Sequence, residues 1–206
     1  MLKLVHAPDT RSVRIVWLLE ELGLPYEVEL YKLGDKAMRS PEYLEKIHPL
    51  GRVPVLIDGD TRLFESGAIV EYLLARHAGG RLRPGVDSNQ FAPYLQWLHY
   101  AEGMLMPQVN IIMVETRFLP PDKRHQPNVD RAQKLLSRML IGVEEGLAGR
   151  DYLAGEFSGA DIMCGHACIV SARLGADISN LPRLQAYVAR LQDREALQRA
   201  RAVGVS

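Results

Sequence analysis

Pro54 stands near the start of a short apolar run, Val53-Pro54-Val55-Leu56-Ile57. A proline inside a strand removes a ladder donor, so it belongs at an edge or at the strand entrance. Asp58-Gly59-Asp60 follows as a turn and Arg62-Leu63-Phe64 as a second short run. Glu65-Ser66-Gly67-Ala68 then opens a helix that carries Ile69, Val70, Leu73 and Leu74 at helical spacing. A hairpin that feeds a helix start can hold an anion, because backbone N–H groups there lack intrahelical partners. The Val53-Pro54 bond has two readings. Either it is an ordinary turn before a strand, or it is cis and turns the N–H and C=O of Val53 outward to pair with an extended peptide. Ser66 also has two, a helix cap and an anion ligand, and one residue can be both.

Around this stretch the chain falls into two parts. Leu2 to His6 alternates as a strand, and Val13 to Leu22 reads as an amphipathic helix ended by Gly23 and followed by Pro25. Tyr26 to Tyr31 alternates again. Asp35 to Ser40 is a polar loop, and Ser40-Pro41 opens a short helix through Tyr43, Leu44 and Ile47. The order is βαβ then ββα, with a right-handed crossover, which is that of a thioredoxin-like domain. Residues 79–87 hold the glycines, proline and charges of a linker, which sets domains at 1–78 and 88–206. The second part shows no strand signal. Helices are expected over 88–117 with a bend at Pro107, over 128–147, 160–174 and 182–191, and briefly within 195–202. Ser158-Gly159-Ala160-Asp161 is a capping-box pattern, with Asp161 reaching back to the cap amide.

Composition narrows the function. Lysines and arginines balance aspartates and glutamates at a formal net charge of +0, which removes the basic excess of a nucleic-acid binder. No apolar run is long enough to span a bilayer, and no signal peptide is read at the start. The 2 cysteines, Cys164 and Cys168, lie four apart on one helix as small buried side chains, so a reducing cytosol is expected rather than a disulfide framework. The scattered histidines give no metal-ligand spacing, and no metal is expected.

Taken together, Val53-Pro54, the Asp-Gly hairpin, Glu65-Ser66 at a helix start and the Ser158-x-x-Asp161 box resemble the glutathione transferase family over nearly the whole chain. Arg11-Ser12-Val13-Arg14, Ile47 to Arg52 and Tyr100 to Gly103 are most similar to its bacterial and fungal branch, that of yeast glutathione transferase I. The resemblance implies a thioredoxin-like domain followed by an all-helical bundle. It implies glutathione as co-substrate, with Val53 and Pro54 pairing the cysteinyl backbone and Glu65 and Ser66 holding the γ-glutamyl end. Arg52 stands where relatives meet the glycyl carboxylate, with Arg39 and Lys36 as weaker helpers. His48 belongs to a structural His-Pro turn. Glu102 is either a surface residue or a contact to the γ-glutamyl amine across a dimer interface.

A thiol with pKa about 8.5 must be deprotonated to attack an electrophile, and a hydroxyl donor or a helix N-terminus favours the thiolate. The family places a Tyr, Ser or Cys after strand one. This chain has neither Tyr nor Cys there, and Thr10 aligns with the Ser of the branch. Thr10 is therefore the candidate donor and Ser12 the fallback; a plain cap of the following helix remains open for both. Asp9 would repel a thiolate. The resemblance sets the second substrate, a small apolar electrophile, against Pro8 and the first long helix, with Tyr100, Met104, Gln108, Ile111 and Ile112 as wall residues.

The reading is a cytosolic, homodimeric transferase that conjugates glutathione to a hydrophobic electrophile or reduces a hydroperoxide. The competitors are a glutathione-dependent isomerase or dehalogenase, a non-catalytic interaction or stress-response module, and a reductase of mixed disulfides. The missing cysteine opposes the last. Retention of Val53, Glu65, Ser66 and a hydroxyl at position 10 opposes the module.

Overall fold

The computed structural model describes residues 1–205, in two compact units. The first comprises Met1–Arg81 together with the chain from Gln192 onward, and the second comprises Leu82–Leu191. The boundary lies inside the expected linker. The expected 88–206 domain is corrected at its far end, because the last helix packs on the first unit's first helix and not with the bundle.

In the first unit β1 (Leu2–His6), β2 (Tyr26–Leu30), β3 (Val55–Asp58) and β4 (Thr61–Phe64) form one sheet in the order β2-β1-β3-β4. β1 runs parallel to β2, pairing His6 with Leu30, and antiparallel to β3, pairing Val5 with Val55. β3 begins at Val55, two residues later than the apolar run, because Pro54 has no N–H to give the ladder. The Val53-Pro54 bond is cis. Successive β1 side chains face opposite ways. Val5 joins Met38, Tyr43 and Val55 in a core cluster, under α2 (Pro41–Lys46) and a 3-10 turn over Lys36–Arg39 that the sequence shows only as polar loop. Gly51 lets the next loop close on that turn: its φ is +61°, and a Cβ there would collide with the Met38 carbonyl oxygen.

The helix α1 (Ser12–Leu22) departs from its amphipathic reading. Nine of its eleven residues are buried, Arg14 and Ser12 among them. Its second covering layer is α9 (Glu195–Ala202), which buries Ala196, Leu197 and Ala200. Arg194 makes a two-bond fork to Glu21 at 2.6 and 2.8 Å, and Arg199 pairs with Glu20 at 2.6 Å. Past α9, Gly204 takes φ +73° and packs so closely on Leu30 that a Cβ would strike Leu30 Cδ1. The remaining helix, α3 (Ser66–Arg76), buries Ile69, Val70, Leu73 and Leu74 as their spacing requires.

The second unit is helical. A continuous run comprises α4 (Phe91–Tyr100), a π turn (Ala101–Leu105), α5 (Met106–Met113) and a second π turn (Val114–Phe118). The first π turn stands where the sequence puts a bend. Its widened i→i+5 pattern, with Met106 N–H donating to the Ala101 carbonyl, makes room just before Pro107, which can donate no bond of its own. α6 (Gln126–Gly146) buries Val129, Ala132, Leu136, Leu140 and Val143. α7 (His166–Arg173) follows a π turn over Asp161–Gly165, and α8 (Pro182–Gln192) carries the chain to the unit's last residue, Leu191, and one residue past it.

Asp161 lies at the centre of that unit, fully buried. Four donors converge on it: Leu153 N–H, Ser158 N–H, the Ser158 hydroxyl and the Tyr187 hydroxyl, at 2.8 to 3.1 Å. Asp161 thus reaches back as the box pattern predicts. The Ser158 hydroxyl differs from its predicted role, since it donates to the carboxylate instead of capping the helix. Burial pushes the Asp161 carboxyl up from its ordinary value, against the pull of its four donors. Cys164 and Cys168 are buried free thiols.

Candidate functional site

The loop from Ala7 to Arg11 joins β1 to α1 and carries the candidate thiolate donor. Asp9 takes φ +58°, a left-handed conformation that Asp tolerates better than most residues, and the turn folds Thr10 back on the strand end. Thr10 Oγ1 donates to the Ala7 carbonyl at 2.7 Å and accepts Ser12 N–H at 3.2 Å. Neither Thr10 nor Ser12 makes a side-chain cap at the start of α1, where Arg11 is the cap residue. Their hydroxyls face each other at 2.7 Å. Thr10 is half-buried, while Ser12 is closed to solvent. Ser12 Oγ is also 2.7 Å from His6 Nδ1, accepts Ala7 N–H at 3.2 Å and can donate to the Ala7 carbonyl at 3.0 Å. Burial lowers the pKa of His6.

One turn beyond Thr10, the buried Arg14 crosses to α3. Its Nη1 donates to Ser66 Oγ at 3.1 Å. Ser66 is 2% exposed, with its hydroxyl buried against Arg14 and its N–H at the start of the helix. Glu65, just before it, is exposed and held at φ +75°. A non-glycine residue there costs on the order of 1–3 kcal/mol, which surrounding structure must impose. His48 accepts Leu50 N–H on Nδ1 at 3.0 Å and its ring lies 4.7 Å from that of Phe64, a structural placement.

Val53 is half-buried and packs on the cluster around Val5 and Tyr43. Arg52 is exposed, and its backbone carbonyl accepts the Tyr43 hydroxyl at 2.8 Å. Arg39 is exposed beside Gly51, with Nη1 3.4 Å from the Leu50 carbonyl, and Lys36 is exposed on the same turn. Pro8 lines a cavity of about 410 Å³ with Leu30, Leu33, Lys32 and Val205.

Of the electrophile candidates in the second unit, Met104 and Ile111 are exposed and Ile112 is buried. Tyr100 has a structural use: its hydroxyl donates to the Met139 carbonyl at 2.9 Å and its ring sits edge-on to Trp97. Gln108 Oε1 is buried without a hydrogen-bond partner among the described residues. Glu102 is half-buried in the first π turn.

Two parts of the site escaped sequence reasoning. His6 and Arg14 each sit among apolar residues, on β1 and α1, and a polar residue on a core face was the available signal. Leu30, Leu33 and Val205 form an apolar wall from exposed residues that no periodicity links.

Known proteins decide what this geometry belongs to. Residues 1–75 match the model for the glutathione S-transferase N-terminal domain, and residues 108–195 match that for the C-terminal domain. The chain belongs to the glutathione S-transferase family. It is 32% identical over 176 residues to glutathione S-transferase 3 of Schizosaccharomyces pombe, covering 78% of this chain and 70% of that one. It is 38% identical over 114 residues to glutathione S-transferase 1 of Saccharomyces cerevisiae, covering 52% and 48%, in keeping with the fungal resemblance. A theta-class glutathione S-transferase from Xanthomonas axonopodis pv. citri, solved with glutathione bound, superposes with TM-score 0.87 at 26% identity, over 100% of this chain and 99% of that one. The thioredoxin-like sheet and helical second unit are those of a glutathione transferase, and that is the chain's general activity, with glutathione as co-substrate. Among the described residues no cluster of metal-binding side chains occurs, and no helix is long and apolar enough to cross a membrane.

Proposed function

We propose that Thr10 is the hydroxyl that stabilises the glutathione thiolate. The observation that carries this reading is the contrast between the two candidate hydroxyls. Thr10 is half-buried at the mouth of the loop, whereas the Ser12 hydroxyl is closed to solvent and engaged by His6, Ala7 and Thr10. A donor must reach the sulfur, so Thr10 is favoured. On this reading the Val53 backbone pairs with the cysteinyl segment. Glu65 receives the γ-glutamyl ammonium, while the carboxylate is taken at the helix start by the Ser66 N–H, with the buried Ser66 hydroxyl and the Arg14 guanidinium behind it, the latter adding positive charge. Arg52 and Arg39 meet the glycyl carboxylate.

The thiolate then adds to a small hydrophobic electrophile, seated at the apolar wall of Pro8, Leu30 and Leu33 in the first unit. In the second unit Met104 and Ile111 are the exposed apolar candidates for the electrophile, Tyr100 acts as a brace, and Gln108 carries a buried polar atom without a hydrogen-bond partner among the described residues. Hydroperoxide reduction would use the same thiolate. The working form is a cytoplasmic homodimer, and detoxification is its role.

Calorimetric titration with reduced glutathione, followed by conjugation to an aromatic halide, tests the whole. Binding with turnover that falls in Thr10→Ala is the expected result. Binding without turnover on halide or hydroperoxide would turn the reading to isomerisation or dehalogenation. No binding would overturn it in favour of an interaction module.

A further inference from the structure

Two exposed leucines and the chain past α9 share one cavity. Leu30 ends β2 and Leu33 follows it, and both line the space of about 410 Å³ together with Pro8 and Val205. All four belong to the first unit. Leu30, Leu33 and Val205 are 51%, 49% and 66% exposed, so their apolar surface is open to a ligand and not spent on the core. Pro8 stands two residues before Thr10, whose hydroxyl donates to the Ala7 carbonyl, so the cavity adjoins the group read as facing the sulfur. The charged lining residues, Asp9 and Lys32, have opposite signs, and the Tyr31 hydroxyl is taken by Glu29 at 2.6 Å. The rest of the lining offers an uncharged ligand apolar contact.

The position of Val205 is set by the turn before it. Ala202 ends α9, Val203 takes φ −65° and ψ 118°, Gly204 takes φ +73°, and Val205 N–H donates to the Ala202 carbonyl at 3.3 Å. These are the angles and the closing bond of a type II turn, whose second central position needs positive φ. The turn rests on two neighbouring strand ends, since His6 and Leu30 are paired across β1 and β2. The Val203 carbonyl oxygen lies 3.3 Å from His6 Nε2. A Cβ on Gly204 would strike Leu30 Cδ1 and come within 3.0 Å of Cδ2. Behind the turn, α9 is held on α1 by Arg194 to Glu21 and Arg199 to Glu20. With its base held, the turn leaves a larger residue at 204 two outlets: Leu30 turns aside, or the turn lifts. Leu30 and Val205 both line the cavity, so either outlet reshapes it.

We infer that Gly204 is a specificity-determining residue. Seated against Leu30, it brings Val205 to the cavity as a wall for the second substrate, and the substrates so favoured are electrophiles whose uncharged apolar body runs several carbons from the reacting centre. This rests on the proposed seat of the electrophile at Pro8, Leu30 and Leu33. Turning Leu30 aside narrows the space and lifting the turn uncovers it. Both lower the gain from a longer apolar body, because a methylene that meets no wall stays in water.

The test uses S-alkylglutathiones from methyl to hexyl, in which the chain grows from the sulfur itself. Dissociation constants are measured by calorimetry on the full-length protein and its variants. Each is compared with that of S-methylglutathione on the same variant, so that any change in the binding of the glutathione part cancels. In the unmodified protein each methylene that the cavity covers should tighten binding up to about fourfold. In Gly204→Ala the advantage of hexyl over methyl should fall about fivefold, roughly the worth of one covered methylene. Leu30→Ala should lower it as well, and Gly204→Ala should then add little, because the side chain that it strikes is gone. An advantage that Gly204→Ala leaves unchanged would overturn the inference while glutathione binding stands. An equal fall with and without the Leu30 side chain would overturn it too, since the contact would not be the cause. No advantage of hexyl over methyl in the unmodified protein would remove the electrophile from this cavity and the inference with it. Failure of both S-methylglutathione and reduced glutathione to bind would instead overturn the reading beneath it.

Discussion

Each unit contains a buried polar knot built on a Ser a few residues from its partner, and the two knots are closed differently. Around Asp161 in the second unit, four donors meet one carboxylate and no polar end points outward. Around Ser12 in the first unit, the knot is a line. It runs from the Val203 carbonyl through His6 and Ser12 to the half-buried hydroxyl of Thr10, with the Ala7 carbonyl accepting from both hydroxyls. A closed knot can only hold structure. A line that reaches a half-buried hydroxyl leaves that group able to turn from the Ala7 carbonyl to whatever binds at its end. Serine and its neighbours thus serve stability or chemistry according to whether the network has an exit.

The hardest blow to this contrast would come from Asp161→Ala. It strands four buried donors, each worth about 1–3 kcal/mol when left unmade, and should cost about 3–5 kcal/mol of stability, less than their sum because the site relaxes. Denaturant unfolding measures this, and a loss under about 1 kcal/mol would show that the knot is not closed as described. Thr10→Ala should do the reverse. Turnover falls about ten- to a hundredfold, because one donor to a developing anion is lost, while the unfolding midpoint hardly moves. Thr10→Ser should restore most of that activity. Ser158→Ala leaves Asp161 three of its donors and should cost about 1 kcal/mol, with unchanged kcat and KM. An effect on turnover there would erase the distinction between the units.

The smallest effect separates the knots by sign. His6 has a lowered pKa through burial, so its contribution is present above the ordinary histidine value and is lost as pH falls through that value towards the folded one. Asp161 has a raised pKa through burial, so its contribution is lost as pH rises through the folded value and returns as pH falls. Mild acid should therefore loosen the β1–α1 loop first. Amide exchange of Thr10 to Arg14 against that of Ser158 to Ile162, over a pH series, checks it. Equal responses would mean that the two networks titrate alike.

These two regions also differ in how much the sequence disclosed. Ser158-x-x-Asp161 is a local pattern, and its main bond was readable because both ends lie within one helical turn. Its Tyr187 partner was not, since it comes from a helix 26 residues further on. Strand and helix positions followed from periodicity and from Gly23, Pro54 and Gly59. Thr10 and Ser12 could be nominated as hydroxyls at a helix start, but their ranking needed burial, which periodicity does not supply. His6 and Arg14 were hidden for a related reason. Both occupy positions where the pattern expects an apolar side chain, and only their partners across the fold explain them. The membership of α9 in the first unit was equally invisible, because a helix of eight residues carries no mark of which surface it will cover.

That last helix bears on how the protein is made. The first unit is interrupted by the second, so its sheet and α1 leave the ribosome long before the helix that covers α1. Until Arg194 and Arg199 arrive, Glu20 and Glu21 lack the two arginines they pair with in the finished protein and α1 lacks one of its packing neighbours. Val203, whose carbonyl oxygen lies 3.3 Å from His6 Nε2, comes later still. The half of the molecule synthesised first is therefore completed last, and the contact of His6 with Val203 can form only in chains that already carry α9.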